Sequence, residues 1–272
     1  MKLELRDLQK PADSLREALL GFADALREDI ARIGEDTPTR IHDIRVGTKK
    51  IRALLRMAGD LVAEEEGEKF GDILREIRNT FAGSRDLEVM RLRLEELFPL
   101  EQAAAAVTLL GLTPAEEAAK PDTARPAELA GELKSRLEKL NLDVLTSRDL
   151  VENAATSYRK ARKLLRKNKK GPENDLMHEW RKRTKDVCYH ALALSDLKPA
   201  KKPADSLDAL AEMLGDYHDL ALLEERAQNH PHLINVICAR KKDLEKQCFK
   251  AGQKIFDQPP SEFSRKIRRA LK

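Results

Sequence analysis

Apolar residues recur along almost the whole chain at intervals of three and four positions, which is the spacing of one face of a helix. Runs in which apolar and polar residues alternate, as they do in half-buried strands, are absent from the sequence. The pattern therefore predicts an all-α protein. A clear example near the start is the series Leu15, Leu19, Phe22, Leu26, Ile30 and Ile33.

One segment interrupts this helical pattern. The stretch GLTPAEEAAKPDTARPAELAG, at 111–131, contains three prolines and few large apolar residues. Such a composition predicts a loose linker with short helices at most.

The two sides of this linker resemble each other. IHDIRVGTKKI at 41–51 parallels MHEWRKRTKDV at 177–187, and FAGSRDLEVM at 81–90 parallels LGDYHDLALL at 214–223. The two matches have nearly equal offsets of 136 and 133 residues, which indicates an internal duplication. We therefore predict a single domain over the 272 residues, with repeats at 1–110 and 132–272.

The segment RIHDIRVGTKKIRALLRM, at 40–57, carries six bases and one acid. At 100° per residue, its first basic stripe occupies an arc of about 80° and faces away from apolar positions such as Ile44, Ile51 and Leu54. This first basic stripe consists of His42, Arg45, Lys49, Arg52 and Arg56. The equivalent second basic stripe consists of His178, Arg181 and Lys185, with Lys182 beside them and Cys188 at the position of Arg52.

A third basic segment lies just before the second stripe. SYRKARKLLRKNKK, at 157–170, has eight bases and no acid, although the net charge of the chain is only +4. Like charges at helical spacing repel by a few tenths of a kcal/mol per pair, so such a segment favours an anionic partner. Four of its bases recur at steps of three and four residues, and we call them the upstream basic run: Arg159, Arg162, Arg166 and Lys169.

The scarcity of aromatic residues narrows the kind of polyanion. Aromatics make up 4% of the chain, and the basic segments contain only Tyr158, Trp180 and Tyr189. Trp180 projects with Val187 and Ala191, so we predict it in the core rather than on a surface where bases stack. A ligand made of phosphate charge alone fits better. If the repeats pack about a pseudo-twofold axis, the two stripes face one central groove.

The remaining composition sets the expected environment. The first residues lack the apolar run of a secretory signal, and no stretch approaches the roughly 18 apolar residues that cross a membrane. Cys188, Cys238 and Cys248 are too few for a disulfide framework and lack zinc-site spacing. We expect a cytoplasmic protein with reduced thiols, no metal site and no membrane contact.

The motifs in these stripes resemble the CHAD family, the conserved histidine α-helical domain. The matching segments are HDIRVGTKKIR, its second copy HEWRKRTK, and LGDYHDL downstream. The resemblance implies two four-helix bundles related by pseudo-twofold symmetry, with a basic central cavity that binds inorganic polyphosphate and no catalytic activity or cofactor. The ligand residues that it implies are His42, Arg45, Lys49, Lys50, Arg52, Arg56, His178, Arg181, Lys182 and Lys185.

We therefore predict a non-catalytic protein that binds inorganic polyphosphate and associates with polyphosphate granules or their proteins. One alternative is a metal-dependent phosphohydrolase of the HD class, with His178, His218, Asp219 and Asp243 as candidate ligands. A second alternative is nonspecific binding to the nucleic-acid backbone, which the lack of stacking aromatics disfavours.

Histidines and aspartates add two further expectations. Basic neighbours should keep His42 and His178 neutral, whereas a bound phosphate chain favours their protonation, so binding should tighten as the pH falls from about 8 to about 6. Asp86 and Asp219 follow predicted helix boundaries, where a carboxylate contacts free backbone N–H groups; an alternative is that they orient a nearby Arg or His. We expect structural roles for His190, His230 and His232.

Overall fold

The structure is a computed structural model that describes residues 2–81, 83–113 and 122–271, with all side chains in these ranges except those of 83–86 and 202. These residues form eleven α-helices and no strand, which confirms the all-α prediction. The helices are α1 (Pro11–Ala31), α2 (Thr37–Ala58), α3 (Glu64–Thr80), α4 (Gly83–Leu97), α5 (Leu100–Leu109), α6 (Ala124–Glu138), α7 (Ser147–Asn168), α8 (Asn174–Ala193), α9 (Lys198–Arg226), α10 (Pro231–Ile255) and α11 (Pro260–Ala270). A short 3-10 helix, Gly59–Leu61, follows α2.

The long helices pack in two groups of four. In the first group, α1 packs against α2 and α6, and α3 contacts the same two helices. In the second group, α8 lies between α7 and α9, α10 packs on α9 and contacts α7, and α11 covers α7 and α9. One continuous cluster of buried apolar side chains runs through both groups. This grouping agrees with two helical bundles, whereas the pseudo-twofold relation between them stays a prediction.

The predicted linker at 111–131 is wrong over its last eight residues, which belong to α6. Pro126 lies in the first turn of this helix, where the missing proline N–H is tolerated, so it does not break the chain. Leu129, Ala130 and Leu133 are buried, and α6 packs against α1 and α3. The start of the second repeat, predicted at 132, therefore lies within a helix of the first group. The segment 114–121 lies outside the described residues.

The helix α2 is fixed to the second group at its C-terminal end. Gly59 ends the helix with a φ of 62°, a conformation that favours glycine, and a Cβ there would collide with the side chain of Asn153 on α7. The Asn153 amide nitrogen donates a hydrogen bond to the carbonyl oxygen of Met57 at 3.0 Å. This contact fixes the end of the first basic stripe relative to α7.

The buried face of α8 is equally constrained. Trp180 is fully buried, which confirms its predicted place in the core. A Cβ at Gly252 of α10 would lie 2.6 Å from the Trp180 ring, so only glycine allows this close approach. Among the described helices, none combines the length and apolar character that crossing a membrane requires.

Candidate anion-binding site

Two contacts join α2 to α8 and bring the basic stripes of the two halves together. Arg56 of α2 forms an ion pair with Asp186 of α8, with 2.7 Å between Nη1 and Oδ1. His190 is buried on α8, and its Nε2 donates to the carbonyl oxygen of Ala53 on α2 at 2.9 Å. The expected structural role of His190 is therefore confirmed. One guanidinium nitrogen of Arg56 is therefore paired with a carboxylate.

Lys49 of α2 lies close enough to four other cations to be affected by their charge. Burial lowers its pKa to about 7, and the next largest contributions come from Arg181, Arg45, Lys185 and Arg78. The strongest electrostatic effects on Lys49 thus all come from positive charges, supplied by α2, α3 and α8. We call these five residues the central cation cluster. It shows that cations of the first and second basic stripes lie close enough to repel one another.

Arg52 extends the central cation cluster toward α3. Burial lowers its pKa to about 10, and repulsion by Arg56 and Arg78 adds to the effect, while Asp186 opposes it. Arg78 therefore acts on both Lys49 and Arg52. No sequence pattern singles out Arg78, because its segment mixes acids and bases like an ordinary exposed helix.

Arg181 reaches the central cation cluster by lying against the backbone of α9. A Cβ placed on Gly215 would be 3.3 Å from both Nε and Nη2 of Arg181, so the guanidinium group packs directly on this glycine. The Nε atom is buried and makes no hydrogen bond within the described part of the chain. Gly215, in the segment LGDYHDL, thus gives this arginine its position.

The other cations of the second stripe have carboxylates beside them. Lys185 contacts Asp208 of α9, with 2.9 Å between Nζ and Oδ1. Lys182 is exposed and contacts Glu179, one turn earlier on α8, at 2.7 Å. These pairs weaken the positive charge that α8 offers.

His178 packs against His218 of α9, with their ring centroids 4.2 Å apart. Burial lowers the pKa of His178 to about 4, helped by His218, Lys182 and Arg181. The ring is therefore neutral at physiological pH, as expected from its basic surroundings. Its Nδ1 is buried and makes no hydrogen bond to any described residue. His42 is exposed on α2.

A comparison with family models shows to which protein family the chain belongs. A model described as the CHAD domain matches residues 5–228. The chain belongs to the CHAD domain family. Among solved structures, it is similar to the crystal structure of the CHAD domain from the plant Ricinus communis, with 17% sequence identity and a TM-score of 0.62 over 98% of this chain and 94% of that chain. The comparison with curated proteins gave no match.

Lys50 is one of the family-motif residues that lie outside the central cation cluster. Its ammonium group lies over the ring of Phe22 on α1, 5.0 Å from the ring centroid. Burial lowers its pKa, while Asp43 opposes this effect. The CHAD motif therefore places one of its two adjacent lysines in the central cation cluster and turns the other toward α1.

The upstream basic run also lies elsewhere. Arg159, Arg162 and Arg166 of α7 line a groove against α11, and Arg162 donates to the carbonyl oxygens of Phe256 at 2.8 Å and Asp257 at 3.0 Å. Lys169 is exposed at the end of α7. The structure thus brings the two stripes together but does not add this run to them.

The prediction that Asp219 follows a helix boundary is wrong, because it lies inside the continuous helix α9. Its Oδ2 is 3.6 Å from Nη2 of Arg93 on α4, so the carboxylate joins two helices instead of capping one. In the first half, α4 does begin at Gly83, but the side chain of Asp86 lies outside the described residues.

The ligand set of the HD-type alternative does not assemble. His178 and His218 are adjacent, but Asp243 is exposed on α10 and contacts Arg240 at 3.3 Å. Among the described residues, no group of three or more His, Cys, Asp and Glu side chains has an arrangement that would hold a metal ion. The structure therefore gives this alternative no support.

Proposed function

We propose that this CHAD domain protein binds inorganic polyphosphate at the central cation cluster and catalyses no reaction on it. The observation that carries the proposal is the position of Lys49, half-buried among Arg45, Arg78, Arg181 and Lys185. Crowding cations in a partly desolvated place costs free energy that a bound polyanion offsets. Arginine supplies forked donors to phosphate oxygens, and lysine supplies compact charge.

The positions of the aromatic residues favour polyphosphate over nucleic acid. Trp180, Tyr158, Tyr189 and Tyr217 are all buried, so no tyrosine or tryptophan offers an exposed ring to a nucleobase. Single-stranded nucleic acids rely on such stacking for much of their affinity. A chain of phosphates needs only the cations that the stripes supply.

Charge reversal in both stripes tests the proposal. The double variant Arg45→Glu/Arg181→Glu should bind long-chain polyphosphate at least about 100-fold more weakly, because it changes the charge of the central cation cluster by four units. The matched control is Arg148→Glu/Arg226→Glu, which reverses two exposed arginines outside the cluster. Isothermal titration gives the affinities, and circular dichroism monitors helix content. Equal losses in both variants would place the binding site elsewhere.

Competition measures the preference between polyanions. Long double-stranded DNA and single-stranded RNA, added at the same phosphate concentration as bound polyphosphate, should displace little of it. If equal amounts of nucleic acid displace the polyphosphate, the protein binds phosphate backbones nonspecifically and the proposal is wrong.

The proposed ligand also predicts where the protein accumulates. We expect a cytoplasmic protein that collects on polyphosphate granules through its own binding site. A fluorescent fusion should mark the granules, and the Arg45→Glu/Arg181→Glu fusion should spread evenly. Granule association that survives this change would indicate recruitment by a granule protein instead.

A further inference from the structure

The groove between α7 and α11 is a second concentration of positive charge. Its volume is about 580 Å³, and α7 and α11 supply all of its lining residues. The charged side chains in this lining are Arg159, Arg162, Lys163, Arg166, Arg268 and Glu152. Five cations thus face one carboxylate, and we call this feature the α7–α11 groove.

Three of these cations remain uncompensated. Arg162 donates to backbone carbonyl oxygens of Phe256 and Asp257, and Arg268 contacts Glu152 at 3.0 Å. By contrast, the described residues provide no ion pair or hydrogen bond to the side chain of Arg159, Lys163 or Arg166. These three lie at spacings of four and three on α7, where like charges repel one another.

The opposite wall supplies polar groups that suit an anion. The helix α11 begins at Pro260, and Pro260, Ser261 and Ser264 line the groove. The first turn of a helix carries partial positive charge, which favours a phosphate nearby. Pro260 has no N–H and the N–H of Glu262 donates to the carbonyl oxygen of Pro259, so the donors of this turn are those of Ser261. The lining contains no aromatic side chain on which a base could stack.

The α7–α11 groove is independent of the central cation cluster. None of its lining residues belongs to the central cation cluster, and none is among the main groups that shift the pKa of Lys49, Arg52 or His178. The helix α11 lies beyond residue 228, where the match to the family model ends. The groove is therefore built partly from residues that the family model does not include.

We propose that the α7–α11 groove is a second anion-binding site, which takes a short condensed phosphate. The run from Arg159 to Arg166 extends over about 10 Å at 1.5 Å per residue, which suits a few phosphates rather than a long polymer. The side chains of Arg159, Lys163 and Arg166 supply the charge, and Ser261 at the start of α11 supplies polar donors. The inference deepens the proposed function by adding a site of different length preference.

The test uses tripolyphosphate and the full chain with Arg45→Glu/Arg181→Glu as background. This background should retain one site for tripolyphosphate, and adding Arg159→Glu/Arg166→Glu should weaken that site at least about tenfold. Adding Lys160→Glu/Lys167→Glu instead makes the same charge change at exposed positions of α7 outside the groove, and should alter the affinity less than about threefold.

Hydrogen exchange locates the binding, since tripolyphosphate should protect the first turn of α11 in the background and in the Lys160→Glu/Lys167→Glu variant. Equal losses in the two added variants, or no binding in the background, would overturn the inference. Tripolyphosphate and long-chain polyphosphate binding that survives in the background but disappears with Arg159→Glu/Arg166→Glu would support the groove and refute the central site.

Discussion

The first and second basic stripes resemble each other in sequence, but the surroundings of their charged groups differ. On α8, Lys182 and Lys185 lie within 2.9 Å of Glu179 and Asp208. On α2, Lys49 is surrounded chiefly by other cations, and burial and repulsion lower its pKa to about 7. Similar sequence motifs thus place two lysines of α8 beside carboxylates and one lysine of α2 among other cations.

The comparison shows that the spacing of cations on a helix does not measure their capacity to bind anions. Their capacity to bind anions depends on which charged side chains the neighbouring helices place beside them. Helix α9 brings Asp208 to Lys185, whereas α3 brings Arg78 to Lys49 and Arg52. We therefore expect α2 to contribute more to polyphosphate binding than α8.

Reversing the charge of one lysine on each helix tests this difference most directly. Lys49→Glu should weaken polyphosphate binding about 100-fold, near 3 kcal/mol, because it places a negative charge among four cations in a partly desolvated site. Lys182→Glu should weaken it by less than about threefold, because Lys182 is exposed and its charge is already paired with Glu179. Titration of both variants at one salt concentration gives the ratio.

Thermal unfolding supplies the control for this pair. Lys49→Glu should not lower the melting temperature of the free protein, since the new carboxylate relieves repulsion within the central cation cluster. Equal affinities for the two variants would show that Lys182 contributes as much as Lys49, and the distinction drawn from their neighbours would be wrong.

Local sequence patterns are enough to predict the helices, the burial of Trp180 and the two stripes, because helical periodicity and a repeated motif are visible in the sequence itself. The partners of each cation depend on tertiary packing, which no spacing encodes. No sequence pattern therefore singles out Arg78 in its segment of mixed charge, and Arg159, Arg162 and Arg166 of the upstream basic run lie against α11 instead of the stripes. The helix at 124–131 does not follow from the composition of its segment, because Pro126 lies in the first turn, where proline is tolerated.

The pH dependence of binding distinguishes the lysine of α2 from the histidine of α8. With a pKa of about 7, Lys49 is about nine-tenths protonated at pH 6 and about one-tenth at pH 8, so the dissociation constant should rise about tenfold across this range. His178, with a pKa of about 4, stays neutral in the free protein throughout. The tighter binding expected at low pH is therefore assigned to Lys49 instead of the histidine.

Two variants separate these groups in titrations from pH 6 to 8. Lys49→Arg should bind well with a nearly flat profile, because arginine stays charged, whereas His178→Asn should retain the slope. The stability of the free protein depends on pH in the opposite direction. The unfolded chain binds the Lys49 proton more tightly, so stability should rise with pH from about 7 to about 10. If the pH dependence of binding persists in Lys49→Arg and disappears in His178→Asn, the histidine and not Lys49 causes it.

The smallest expected effect concerns how α9 positions the one arginine that α8 contributes to the central cation cluster. In Gly215→Ala, the new Cβ would lie 3.3 Å from two nitrogens of Arg181, so the guanidinium must shift by a few tenths of an ångström. We expect polyphosphate to bind about threefold more weakly, or roughly 0.7 kcal/mol. Gly131→Ala is the control, because the same substitution on α6 meets no atom within 4 Å.

Both alanines favour helix formation, so a general gain in stability should appear in both variants and cancel from the comparison. If the loss of affinity arises through Arg181, Gly215→Ala should have no further effect in an Arg181→Ala background, and the four affinities form a double-mutant cycle. An undiminished effect in that background would mean that Gly215 acts on the ligand by another route. The cycle therefore tests whether backbone contact, rather than sequence spacing, brings the charge of α8 into the site.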